Sequence, residues 1–271
     1  MTVRVPFVRV LAPVCVALAV SLAAVGCASG PAKLPPAGSA EPDKFLFDKG
    51  TAAMQAKKWF TAREYLRRLV DQFPQSTYRP DAKLGLGDTY LGENSAESKV
   101  LAVNEFREFL AFFPTNARAD YAQYKIGVAH SRQMLSAQRD QTETRATIKE
   151  FEVFFERYPG STLRPEAERA YRAARDRLSE SEHVAGLLYF HLKWLPGAID
   201  RFKKLLEMDP AYTRRDATYF YLAESLLKAK HPEEALPYFD RLVKEFQKSE
   251  YLDRAKKRVV ELKAVVKAGG S

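Results

Sequence analysis

Between residues 102 and 113 the apolar positions fall on one face of a helix. Ala102, Phe106, Phe109, Leu110 and Phe113 stand at i, i+4, i+7, i+8 and i+11, the spacing of a 3.6-residue period. Asn104, Glu105, Arg107 and Glu108 make the wet face, and Pro114 ends the helix because it lacks an N–H and restricts the residue before it.

The same unit recurs along the chain. Taking Phe106 as zero, the zero position holds Leu66, Phe106, Phe151, Phe202 and Phe239, each preceded four residues earlier by Ala62, Ala102, Thr147, Ala198 or Ala235. Eight residues after zero come Pro74, Pro114, Pro159 and Pro210, with Gln247 as a degenerate fifth. A small residue stands upstream at Gly50, Gly87, Gly127, Gly186 and Ala223. Its gap to the alanine slot is 12 in the first, fourth and fifth copies, 15 in the second and 20 in the third. Small residue, alanine, aromatic and proline in this order resemble the tetratricopeptide repeat. Two antiparallel helices approach closely only where small side chains meet, and the large aromatic fills the space left between pairs. The expected fold is all-α: a tetratricopeptide-repeat solenoid of five helix pairs.

The irregular gaps predict where the solenoid departs from a strict repeat. Three extra residues in the segment 92–99 are expected to lengthen the turn inside the second repeat, and eight around Ser136–Thr144 that of the third. Between Pro159 and Gly186 the excess is 14 residues, close to four helical turns, so one helix from about Pro165 to Lys193, about 40 Å long, can keep the same face inward. It would join repeats 1–3 (residues 44–164) to a second group (residues 165–271). The latter holds repeats 4 and 5 and a C-terminal capping helix, Tyr251–Lys267, with the stripe Ala255, Val259, Leu262 and Val266. Gly269 suits that helix's end.

Residues 1–26 read as a signal peptide, with Arg4 and Arg9 ahead of an apolar run over 10–25. Leu22 to Cys27 resembles the bacterial lipobox, which makes Cys27 a lipidation site. The alternatives are an ordinary signal peptide or a short membrane anchor with an incidental cysteine. Several acyl chains would make the anchor permanent where a single one is marginal. Ala28, in place of an aspartate, points to the outer membrane, periplasmic side. Residues 27–43, rich in Pro, Gly, Ser and Ala, read as a flexible tether.

Loss of Arg4 and Arg9 with the leader lowers the net charge from +9 to +7. Its basic pairs are spread along helices, a solvated surface in preference to a nucleic-acid site, although contact with anionic head groups stays open. The four histidines have no metal spacing, and no phosphate loop, nucleophile elbow or HExxH occurs. Neither an enzyme nor a cofactor is expected.

Phe73-Pro74-x-Ser76-x-Tyr78, Tyr121-Ala122-x-Tyr124-x-x-Gly127, Arg139-Asp140-Gln141-Thr142, Tyr158-Pro159-x-Ser161 and the long helix leading to Tyr189-Phe190 together resemble the BamD family of outer-membrane lipoproteins. The resemblance implies a scaffold of the β-barrel assembly machine. Its C-terminal repeats would dock on the periplasmic POTRA domains of BamA through Arg201, beside Asp200. Its N-terminal repeats would receive extended segments of unfolded outer membrane proteins, on a surface expected at Tyr90, Tyr121 and Tyr124 with Arg139 and Asp140 shaping the next loop. Each tyrosine can equally be a core aromatic, and Arg139–Asp140 a loop-internal ion pair. Another reading of the repeats is a pilus or secretin pilotin, or a cell-wall and division coordinator.

Overall fold

The computed structural model describes residues 33–269, with side chains up to 264; the signal peptide, the first part of the tether with Cys27 (residues 27–32) and the Val266 side chain lie outside the described residues. Within them the chain forms eleven helices and no strand. They are α1 (Pro42–Gln55), α2 (Trp59–Gln72), α3 (Arg79–Glu93), α4 (Ala96–Phe112), α5 (Ala119–Ser131), α6 (Thr142–Arg157), α7 (Arg164–His191), α8 (Leu195–Met208), α9 (Arg215–Lys228), α10 (Pro232–Glu245) and α11 (Leu252–Gly269). Each helix packs chiefly on its neighbours in sequence. Beyond that, α1 touches α3, α5 touches α7 and α7 touches α9.

The repeat slots are the core. Every alanine-slot residue and every zero-position side chain is buried, from Ala62 and Leu66 to Ala235 and Phe239. The small residues are small because the aromatics lie against them: a Cβ added to Gly87 would stand 2.6 Å from Phe106, and one at Gly186 would stand 2.5 Å from Phe202. Four apolar clusters follow one another along the stack. They are centred on Leu46 and Leu66, on Phe106 and Phe109, on Phe151 and Phe154, and on Phe202, Phe220 and Phe239.

Helix α7 has 28 residues, which makes it about 42 Å long, as the 14-residue excess predicts. The insertion in the third repeat is a loop over 132–141, also as expected. The insertion in the second is not: only Asn94 and Ser95 separate α3 from α4. The extra residues extend α4 to 17 residues instead. Ser95 makes this possible by accepting a hydrogen bond from the Ser98 N–H at 3.0 Å, an N-cap that starts the helix early. Asn94, at φ 62°, closes α3 in the left-handed conformation.

Lys57, Lys193 and Lys230 hold the same left-handed position between the helices of repeats 1, 4 and 5, at φ 55°, 61° and 64°. Where the fifth repeat lacks its proline, the Gln247 side chain ends α10 by donating to the Val243 carbonyl at 2.5 Å. The N-terminal boundary also moves: α1 starts at Pro42, and the Lys33 backbone N–H donates to the Tyr65 hydroxyl at 2.8 Å. The expected tether is therefore tied to the first repeat at Lys33.

Candidate functional site

Arg201 lies on the first half of α8 and reaches back to α7. Its Nη1 donates to Glu182 Oε2 at 2.6 Å, and its guanidinium stands 6.0 Å from the Tyr189 ring. The Glu182 carboxylate holds the guanidinium in its charged form, raising its pKa further. The side chain is still 40% exposed. Asp200 is more exposed and pairs with Lys204, one turn on, at 2.9 Å. Around the same end of α7 stand Leu188, Leu192 and Trp194, all three exposed. Trp194 is held edge-on to Tyr189 with centroids 4.5 Å apart. Arg201 is the residue the family resemblance marks; the exposed apolar side chains at the C-terminal end of α7 are not marked by any repeat slot.

The three tyrosines do not form one surface. Tyr90 and Tyr121 lean on the second apolar cluster and Tyr124 on the third. Tyr90 accepts from Arg67 at 2.9 Å, with the Arg63 guanidinium 4.6 Å over its ring. It lines a 420 Å³ hollow with Phe60, Arg63, Arg67 and Leu101. The Tyr121 hydroxyl donates to both oxygens of Asp88, at 2.9 and 2.8 Å, and its ring lies between Arg118 and Lys125. Burial, reinforced by the Asp88 carboxylate, pushes the phenol pKa up, so it stays protonated and a donor. Asp88 and Arg118 in turn line a 220 Å³ pocket floored by Phe47, Met54, Leu66 and Gly85. Tyr124 packs 6.2 Å from both Phe151 and Phe154, so its ring is largely a core aromatic.

The segment Arg139-Asp140-Gln141-Thr142 divides its work. Asp140 does not pair with Arg139. It accepts from the Thr142 N–H at 2.9 Å and the Thr142 hydroxyl at 3.1 Å. Those bonds start α6 and hold its carboxyl below the usual range. Gln141 is buried and donates to the Ser136 and Arg139 carbonyls at 2.8 and 2.9 Å, fixing the loop from inside. The Arg139 guanidinium is exposed and meets no partner among the described residues.

Two polar devices are not read from the sequence pattern. The first closes the repeats. In three repeats the serine two residues after the proline position donates to an aspartate in the first turn of that repeat's opening helix: Ser76 to Asp43 at 2.6 Å, Ser161 to Asp120 at 2.5 Å, Ser249 to Asp216 at 2.6 Å. In the second repeat Asn116 replaces the serine, and Arg118 takes Asp81 at 2.9 Å. The second device is the seam along α7. Asp209, standing where the other repeats have an aromatic before the proline, is 2% exposed and bonded to Arg172 and Ser179. Tyr212 and Arg214 bond to Glu180, and Thr213 to Asp176. His183, 1% exposed, shares a 3.0 Å hydrogen bond with Thr218, and burial pushes its pKa down to about 4.

Among the described residues no group of three or more His, Cys, Asp or Glu could hold a metal ion, and no helix is long and apolar enough to cross a membrane. Over residues 39–231 the chain matches the family YfiO, outer membrane lipoprotein, and over 217–249 the tetratricopeptide repeat family. It is 28% identical over 221 residues to the outer membrane protein assembly factor BamD of Caulobacter vibrioides, covering 81% of this chain and 71% of that one. It is 26% identical over 195 residues to BamD of Vibrio cholerae, covering 68% and 78%. The solved TPR2AB-domain complex with pHSP90 of yeast Sti1 aligns at 13% identity and a TM-score of 0.45, covering 83% of this chain and 84% of that one.

Proposed function

Since the chain belongs to the YfiO family of outer membrane lipoproteins, we propose that it is a non-enzymatic scaffold of the outer-membrane β-barrel assembly machine, held at the periplasmic face by lipid on Cys27. The observation that carries this reading is the family match itself. It runs from before α1 through α9 and so covers the first group of repeats and reaches into the second. Relatives that align over most of the chain are outer membrane protein assembly factors.

Within that reading the C-terminal repeats dock on the POTRA domains of BamA through the surface that holds Arg201. Glu182 fixes the direction of the guanidinium, and Leu188, Leu192 and Trp194 supply apolar area beside it. The inner face of the N-terminal repeats receives unfolded outer membrane proteins. There Tyr121, Arg118 and Asp88 offer donors and acceptors around an apolar floor, Tyr90 borders the neighbouring hollow and Arg139 is exposed on the loop.

The test is a pull-down of the lipidated chain from solubilised outer membranes, comparing wild type, Arg201→Glu and Arg201→Lys. A large β-barrel protein with periplasmic repeats should come down with wild type and be lost with Arg201→Glu, while circular dichroism stays unchanged. Recovery of a secretin or of cell-wall proteins in its place sinks the assignment.

A further inference from the structure

Resting on the lipid-anchored reading, we propose that the first repeat docks on an anionic phospholipid surface through the turn that carries Lys57, Lys58 and Phe60, together with Lys33 and Leu34. The argument begins with a length. Lys33 is tied to the hydroxyl of Tyr65, and Tyr65 is buried in the core of the first repeat. Lys33 is six residues on from Cys27, and those six steps reach at most about 20 Å. A lipid on Cys27 thus hangs from α2 on a short leash. The 57–60 turn opens that same helix, about two helical turns before Tyr65.

The surface within reach has the composition of a membrane interface. Lys57 and Lys58 are exposed and meet no carboxylate among the described residues. Phe60 is 61% exposed and Leu34 is 70% exposed. Residues 33–72 carry eight Lys and Arg against five Asp and Glu. Exposed aromatic and apolar side chains among unpaired lysines suit the head-group region of a bilayer, and the excess of positive charge selects anionic lipid. The turn of the fourth repeat has similar residues, Lys193 and Trp194, both exposed, but no leash ties it to a lipid. It serves as a control within the same molecule.

The experiment is acetylation of the lipidated full chain in vesicles of phosphatidylethanolamine and phosphatidylglycerol, read lysine by lysine by mass spectrometry. The reference is the mature Cys27→Ser chain free in solution. Lys57 and Lys58 should each react about fivefold more slowly on the vesicles, with Lys193 and Lys230 unchanged, and the protection should shrink on phosphatidylcholine alone. A chain that floats with the vesicles yet shows equal rates at all four lysines overturns the docking and leaves the anchor standing. Protection that is the same on phosphatidylcholine overturns the choice of anionic lipid. A chain that does not float overturns the anchor and the docking together.

Discussion

At the residue scale, the fold is held by polar contacts as local as its apolar ones. A hydrogen bond to a charged group is worth about 1.5–3 kcal/mol, so Ser161→Ala, which leaves a partly solvated Asp120 behind, should cost about 1–2 kcal/mol. Faster amide exchange at the start of α7, with little change at α10, would register it. His183 gives a pH dependence whose sign is set by burial. Its imidazole has an ordinary pKa of 6.5 and a folded value of about 4, so between those values the unfolded chain binds more protons. Stability is full above pH 6.5 and falls as the pH drops toward 4, by up to about 3 kcal/mol. Urea unfolding measured from pH 7 to pH 4 should show this slope, and His183→Gln should flatten it.

At the element scale, the pattern of small, alanine and aromatic slots was enough to place all five helix pairs and the long α7, because each slot has one geometric job repeated five times. Gly186→Ala puts a methyl group against the buried Phe202 ring, which has nowhere to retreat. The overpacking cost of about 1–3 kcal/mol outweighs the gain in helix propensity of about 1 kcal/mol, so the denaturant midpoint should fall. Lys230→Gly should act in the opposite sense. It relieves a left-handed residue at φ 64° and should add about 0.5–1 kcal/mol to the same midpoint. What the pattern could not give is where an insertion goes. Whether three residues join a turn or a helix depends on one cap, and Ser95 decides for the helix. Nor could it reveal the serine-to-aspartate closures: each aspartate looks like an ordinary first-turn acid, and its partner stands 33 or 41 residues away. Of the candidate residues, Arg201 is an exposed cation oriented by Glu182, Tyr124 is a half-buried ring leaning on Phe151 and Phe154, and Asp140 bonds to Thr142 at the start of α6. Side-chain direction on a helix face separates these roles, and a motif does not encode it.

At the scale of the whole molecule, the apolar clusters centred on Phe151 and on Phe202 belong to different groups of repeats. The polar seam of Arg172, Ser179, Glu180, Asp209 and Tyr212 reinforces their connection through α7. Asp209→Ala would leave Arg172 half-buried without its main partner and should cost about 3 kcal/mol. The loss should fall on the connection between the groups, so that thermal unfolding splits into two transitions where wild type shows one. Two transitions already present in wild type would mean that the seam does not couple the halves. The stack has one more property. Helices pack on their neighbours in sequence, and the hydrogen bond from Arg107 to Glu150 reaches across only 43 residues. Such low contact order favours quick folding from local pieces. A chain delivered residue by residue through a narrow pore can therefore finish each repeat about forty residues after that repeat begins to emerge. The first repeat, tied at Lys33, would be complete and seated before the last had arrived, so the order of delivery would also be the order of assembly.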